Sequence, residues 1–374
     1  MKTIVNAKIV TSDEVLEGYC LSFEDKIFSL SKDVPNDTEL IDAKGMYLSA
    51  GFIDIHIHGS NGFDVMDGTV EALEGISESI LQTGTTSFLA TTMTMSREDI
   101  NKALLNVQNF EQKKGAKILG VHLEGPFINT IKHGAQNAAH IQKPNRELIE
   151  PYMDIVKMIT LAPEVEGGKE FVAYIKKEYP HVLLSIGHSD ASYEACKESF
   201  TWGISHATHL FNAMNPLHHR EPGIVGAVVE NEEVSFDMIP DLVHMHPALF
   251  NLLYKLKKEQ LILITDAMRA GCMRCGSLSE VGGQKVIVKD GKARLEDGTL
   301  AGSVLKFNEA LKNFYEHSDI TLPELISTVT RRPAEKLGLD MGLLKKGYGA
   351  DLVLFNEEFE ISSVYIDGNI VFKR

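Results

Sequence analysis

Gly51-Phe-Ile-Asp54-Ile-His56-Ile-His58-Gly59 is an apolar run in which three polar residues, Asp54, His56 and His58, recur at every second position. Successive strand residues alternate between faces, so this period sends the three polar side chains to one side while Phe52, Ile53, Ile55 and Ile57 pack elsewhere. Two imidazoles held side by side on a strand form half of a metal site, because neutral histidine nitrogens suit divalent ions such as zinc. The plainer reading is a pair of core histidines bonded to carbonyl groups, and the segment alone does not separate the two.

Downstream, apolar strand candidates recur at 85–93, 118–124, 156–161, 182–188, 204–210, 234–239 and 261–266, which with the opening run makes eight. The intervals carry helical periodicity, as in Val70, Leu73, Ile76 and Ile80, or Leu249, Leu252, Leu253 and Leu256. Eight strand-then-helix units with nearly continuous apolar strands predict an α/β fold of the (β/α)8 TIM-like barrel type. A doubly wound sheet would have fewer strands and a glycine-rich phosphate turn, and no such turn follows any strand. Residues 1–48 instead alternate short β-like runs (3–10, 19–23, 26–30 and 46–48) with turns. The stretch from Gly349 to Phe372 has the same character. A small β-sandwich built from both termini, residues 1–48 and 337–374, is therefore expected beside a barrel of residues 49–336.

The chain has 374 residues, 44% of them hydrophobic and 24% charged, enough to bury a large core. A formal charge of -15 argues against nucleic-acid and anionic-membrane partners. The opening segment lacks a long apolar stretch and no run approaches the roughly 18 residues of a membrane span, so a cytoplasmic location is expected. Four cysteines fit a reducing compartment, and the lone Cys272-Met-Arg-Cys275 reads as a loop thiol pair without a role.

Polar residues suited to chemistry stand where the strands finish: His56 and His58 on the first, His122 and Glu124 on the third, His188 on the fifth, His206 and His209 on the sixth, Asp266 on the eighth. In a (β/α)8 barrel those ends converge on one face, where active sites form. Singly each could be structural; jointly they point to a metal site.

These residues, in Asp54-Ile-His56-Ile-His58-Gly59, His122-Leu-Glu124-Gly-Pro126, Gly187-His188-Ser189, Ala207-Thr-His209-Leu-Phe-Asn212-Ala213-Met214, Arg220-Glu-Pro222-Gly223, Ile264-Thr-Asp266-Ala267 and Gly298-Thr-Leu-Ala-Gly302-Ser303, resemble the amidohydrolase superfamily and, within it, the N-acetylglucosamine-6-phosphate deacetylase family. The resemblance covers nearly the whole chain, and the strings around Glu124 and His209 are its most specific parts. It implies that Glu124, His188 and His209 hold one divalent metal ion and that His56 and His58 hold a second, with Glu124 bridging. Asp266 would be the general acid and base as well as a metal neighbour. Zinc is expected first, with iron, manganese or cobalt as alternatives. Many superfamily members bridge two metals with a strand-four lysine; here that strand ends Thr160-Leu-Ala-Pro163-Glu164 and Lys157 lies near its start.

The implied reaction is hydrolysis of N-acetylglucosamine 6-phosphate to glucosamine 6-phosphate and acetate by metal-activated water, in amino-sugar catabolism and recycling. Arg220, His244, Asn212 and Ala213 would bind the phosphate, with Arg220 supplied by the neighbouring subunit of a homodimer in some relatives. Ala135, Gln136, Leu300, Ala301 and Gly302 would contact the rest of the substrate. Gln136 departs from relatives with histidine at that place and cannot be a cation. The alternatives are an amidohydrolase acting on a cyclic amide or related C–N bond, and a catalytically inactive scaffold.

Overall fold

The computed structural model describes residues 1–273, 278–281, 284–289 and 292–374; Cys275, half of the C-x-x-C pair, lies outside the described residues. Each expected apolar run forms a strand: β1 (Phe52–Ile57), β2 (Thr85–Thr91), β3 (Lys117–Glu124), β4 (Val156–Leu161), β5 (Leu183–Ile186), β6 (His206–Ala207), β7 (Ser235–Met238) and β8 (Leu261–Leu263). They pair in parallel and in sequence order. Asp266 and His58 close the ring: the Asp266 N–H donates to the His56 carbonyl at 2.9 Å and the His58 N–H to the Ala267 carbonyl at 2.8 Å. Every residue of β1 and β2 is buried, because helices cover the outside and side chains fill the inside, which is why these strands read as unbroken apolar runs.

The barrel interior also carries a polar layer, and each pair in it is hydrogen-bonded, as buried polar groups require. His122 Nε2 meets Thr160 Oγ1 at 2.7 Å, Thr208 Oγ1 meets both Thr160 Oγ1 and Ser185 Oγ at 2.7 and 2.6 Å, and His206 bonds Ser235 and Asp237. His122 and His206, two of the histidines picked out at strand ends, are thus absorbed by this layer. Asp54 is likewise structural: its carboxylate accepts from the Thr265 hydroxyl at 2.6 Å and the His56 N–H at 3.2 Å, tying β1 to the segment that carries Asp266.

The helix Ala248–Lys257 turns a different face inward from the one its leucines suggest. Phe250, Leu253 and Tyr254 are buried, while Leu252 and Leu256 are exposed, since an apolar residue on nearly every side of the helix leaves periodicity without a unique solution.

Both termini build two sheets. One orders Ile27–Ser31, Cys20–Phe23, Lys2–Val5 and Glu39–Asp42. The other orders Asn369–Lys373, Ile361–Ile366, Leu352–Phe355, Tyr47–Ala50, Lys8–Val10 and Val15–Leu16. The expected run 3–10 is broken at Asn6, whose φ of 55° turns the chain from the first sheet to the second. Ile4, Leu21, Phe23, Leu48, Leu352 and Tyr365 fill the space between the sheets. A third sheet, Leu278–Val281, Gln284–Lys289 and Lys292–Leu295, follows β8 and was not anticipated. Among the described residues no helix is long and apolar enough to cross a membrane.

Phe52 joins barrel and sandwich. Fully buried, it meets Phe307 and Phe355 edge-on at centroid distances of 6.1 and 6.2 Å. Phe52→Ala is expected to lower stability by about 3–5 kcal/mol through the cavity left behind, measured by denaturant unfolding; a loss below about 1 kcal/mol would show that the seam relaxes to fill the space.

Candidate metal centre and substrate cavity

Strand ends aim the site residues at one point. His56 is in β1 and His58 directly follows it, Glu124 ends β3, and His188, His209 and Asp266 lie just past β5, β6 and β8. The last three adopt φ values of 48°, 32° and 48°, a left-handed conformation uncommon outside glycine that clusters at functional sites. Asp237 on β7 holds the turn at His209, its carboxylate accepting the His209 backbone N–H and bonding the His206 ring.

Two groups of three result, His56 with His58 and Asp266, and Glu124 with His188 and His209; within each group the ligand atoms lie within 4.8 Å of one another. Glu124 stands between them. Its Oε1 is 3.1 Å from both His188 Nε2 and His209 Nε2 and 3.5 Å from His56 Nε2, and its Oε2 is 3.3 Å from His58 Nε2. Asp266 Oδ1 lies 3.2 Å from His58 Nε2 and 3.5 Å from His56 Nε2.

The donor set fits divalent metal. Nitrogen faces nitrogen at 3.3 Å between His56 and His58 and at 3.2 Å between His188 and His209, an arrangement that lone pairs sharing a cation explain. His188 Nδ1 lies 3.0 Å from the Lys132 carbonyl, so that nitrogen carries the proton and Nε2 presents its lone pair inward. Burial alone would depress His58 and His209. Hydrogen bonds from carboxylates override it, raising His58 well above its ordinary value and His209 to about 9. Burial likewise opposes ionisation of Glu124, but the charges of His56 and His188 hold its carboxyl well below the usual range. Asp266 is lowered against burial by His56 and His58. The metal-free cluster therefore stores protons where a cation fits.

A cavity of about 380 Å³ opens over this cluster, lined by His58, Glu124, His188, His209 and Asp266 on one side. Ala135, Gln136, Asn212, Ala213, His244, Leu300 and Gly302 also line it, and Ala301 is buried between the last two. Gly302, at φ 55°, brings its backbone so near Asp266 that an added Cβ would sit 3.1 Å from the Asp266 carbonyl oxygen. Gln136 is more committed than a substrate contact: its Nε2 donates to Glu124 Oε2 at 2.9 Å while its Oε1 accepts the Thr94 N–H at 2.8 Å. His244 spends Nδ1 on Asp241 at 2.7 Å, which leaves Nε2 for a ligand.

Arg220 does not line this cavity. It is exposed, bonded to His219 at 2.7 Å, and borders a separate hollow with Asp190, Tyr193 and His218. The cavity wall also holds Met93, Met268, Thr299 and Arg294, which sequence reading passed over. Arg294 belongs to the unanticipated third sheet, whose alternation at Lys285-Val-Ile-Val-Lys289 was the available signal. Lys157 packs toward Gly120 near the start of β4, away from the metal cluster.

An amidohydrolase family model matches residues 47–371, the barrel together with most of the C-terminal strands. The chain belongs to the amidohydrolase family. It is 36% identical to the N-acetylglucosamine-6-phosphate deacetylase of Bacillus subtilis (strain 168), across 99% of this chain and 96% of that one. It is 31% identical to the N-acetylgalactosamine-6-phosphate deacetylase of Escherichia coli O157:H7, across 97% of each. The crystal structure of the Thermotoga maritima N-acetylglucosamine-6-phosphate deacetylase superposes with a TM-score of 0.90 at 34% identity, covering 100% of both chains. Within the amidohydrolase family the likeness thus extends over barrel and sandwich alike.

Proposed function

We propose that the protein hydrolyses the acetamide of N-acetylglucosamine 6-phosphate to glucosamine 6-phosphate and acetate, a step of amino-sugar catabolism and recycling. The observation that carries this reading is the convergence of four imidazoles and two carboxylates on the floor of a cavity whose wall holds His244, Asn212 and Ala213. Glu124, His188 and His209 would hold one divalent metal, and His56, His58 and Asp266 a second beside Glu124. Zinc is the first choice and iron, manganese or cobalt satisfy the same donors. When bound, such an ion acidifies water and polarises an amide carbonyl.

Asp266, held ionised, accepts the proton of the attacking water and returns it to the departing nitrogen, which is otherwise a poor leaving group. Gln136 fixes the orientation of Glu124. His244 and the Asn212-Ala213 backbone receive the phosphate, and Arg220 completes that site from the neighbouring subunit of a homodimer, in keeping with its distance from the cavity of its own chain. The barrel is assigned to residues 49–336, the sandwich to 1–48 and 337–374, and the protein to the cytoplasm, without nucleic-acid or membrane partners.

The test is kcat/KM for N-acetylglucosamine 6-phosphate, its C4 epimer N-acetylgalactosamine 6-phosphate and unphosphorylated N-acetylglucosamine. Arg220→Ala is expected to lose about ten- to a hundredfold on the phosphosugar, the value of a charge-assisted contact of about 1.5–3 kcal/mol, and to change the slow unphosphorylated reaction little. Much of the loss falls in KM, because the phosphate is unchanged during amide cleavage. Equal use of both sugars by the parent, or equal loss on both in the mutant, rejects the phosphate role and returns the cyclic-amide reading. Preference for the galacto epimer would reassign the substrate.

A further inference from the structure

A second basic site lies at the other end of the barrel, where β7 and β8 begin. Ser235 opens β7, Glu259 and Gln260 directly precede β8, and with Arg331, Arg332 and Lys336 they line a hollow of about 320 Å³. Arg332 is its centre. Its side chain is 3% exposed, and only Nη1 is satisfied, donating to the Leu261 carbonyl at 3.0 Å. Nε and Nη2 have no hydrogen-bond partner among the described residues, and the nearest carboxylate oxygen, on Glu259, is 3.8 Å from Nη2.

The two carboxylates of the hollow are spent elsewhere. Arg331 Nη2 donates to Glu259 at 2.7 Å and Arg331 Nη1 to Glu335 at 3.0 Å. Arg332 and Lys336 therefore face the space without a hydrogen-bonded counter-charge. Burial pushes the Arg332 guanidinium down to about 10, lowers Lys336, and takes neighbouring Lys257 to about 8. Water could accept from Nε and Nη2 but would leave that excess charge uncompensated, whereas two oxygens of one oxyanion match a guanidinium edge in a parallel fork.

We propose that Arg332, Arg331 and Lys336 form a phosphate-binding site on the face of the barrel opposite the metal centre, taking inorganic phosphate or the phosphate group of a monoester. The site stands independently of the reaction assigned to the metal centre. No phosphate chemistry occurs there, since the hollow contains no nucleophile or metal cluster among the described residues.

Equilibrium dialysis of the holoenzyme against inorganic phosphate, at constant ionic strength, provides the test. The parent should lose one phosphate per chain on Lys336→Gln and on Arg332→Met, or bind it at least about tenfold more weakly, as removal of a charged donor dictates. Arg220→Ala should retain that phosphate, which separates this site from any phosphate at the barrel mouth and keeps its fate distinct from that of the substrate assignment. If Arg332→Met does not fold, Lys336→Gln and Arg331→Gln carry the comparison. Glucosamine 6-phosphate as competitor then distinguishes sources: displacement at equal or lower concentration than unlabelled phosphate identifies a monoester site, and failure to displace identifies a free-phosphate site. Phosphate binding unchanged in Lys336→Gln and Arg331→Gln, or none in the parent, overturns the proposal.

Discussion

Asp266→Asn is expected to lower kcat by at least about a hundredfold, the lower reach of acid–base catalysis. The substitution keeps the shape of the side chain and an oxygen facing His56 and His58, but it removes the proton acceptor. Asp266 is suited to that task because His56 and His58 keep it ionised in a buried setting, so it is ready as a base at neutral pH. Its φ of 48° and the close approach of Gly302 fix it against the cavity floor. Metal held by Glu124, His188 and His209 should remain, since none of those ligands changes. Metal analysis alongside turnover therefore separates the roles. Turnover within a few-fold of the parent would reduce Asp266 to a ligand or a structural residue, and a parallel loss of all metal would assign the effect to coordination.

Removing the metal should abolish nearly all turnover, and adding a divalent ion should restore it. The donor atoms meet at 3.1–3.5 Å around an apparent common centre, and without a cation they are held together only by protons. His209, raised to about 9, must give up its proton to become a ligand. Metal uptake near neutral pH should accordingly release protons, and apparent affinity should fall as pH is lowered, by roughly tenfold per unit for each proton displaced. His188→Ala and His209→Ala should act through lost metal more than through lost chemistry. Proton release on titration with zinc, measured in weak buffer, and activity after prolonged chelation check both statements. Full turnover in protein shown to be metal-free would sink the assignment and favour an inactive or metal-independent descendant of the fold.

The sequence by itself determined the barrel and its metal cluster. Parallel strands covered on both faces must be apolar throughout, so eight of them stand out from amphipathic helices, and polar residues at their ends are conspicuous against that background. His56, His58, Glu124, His188, His209 and Asp266 were all legible for this reason. Which strand-end histidines face the cavity and which are buried in the interior layer was decided by tertiary structure: His122 and His206 differ from His188 and His209 only in the depth at which their strands place them, and depth depends on strand stagger, which no local pattern encodes. The inward face of the Ala248–Lys257 helix, the third sheet with Arg294, and the separation of Arg220 from its own cavity are of the same kind. Arg332 is the clearest case. In sequence it is one arginine of an adjacent pair before a proline, and only packing against β8 buries it and leaves two of its N–H groups facing an empty hollow.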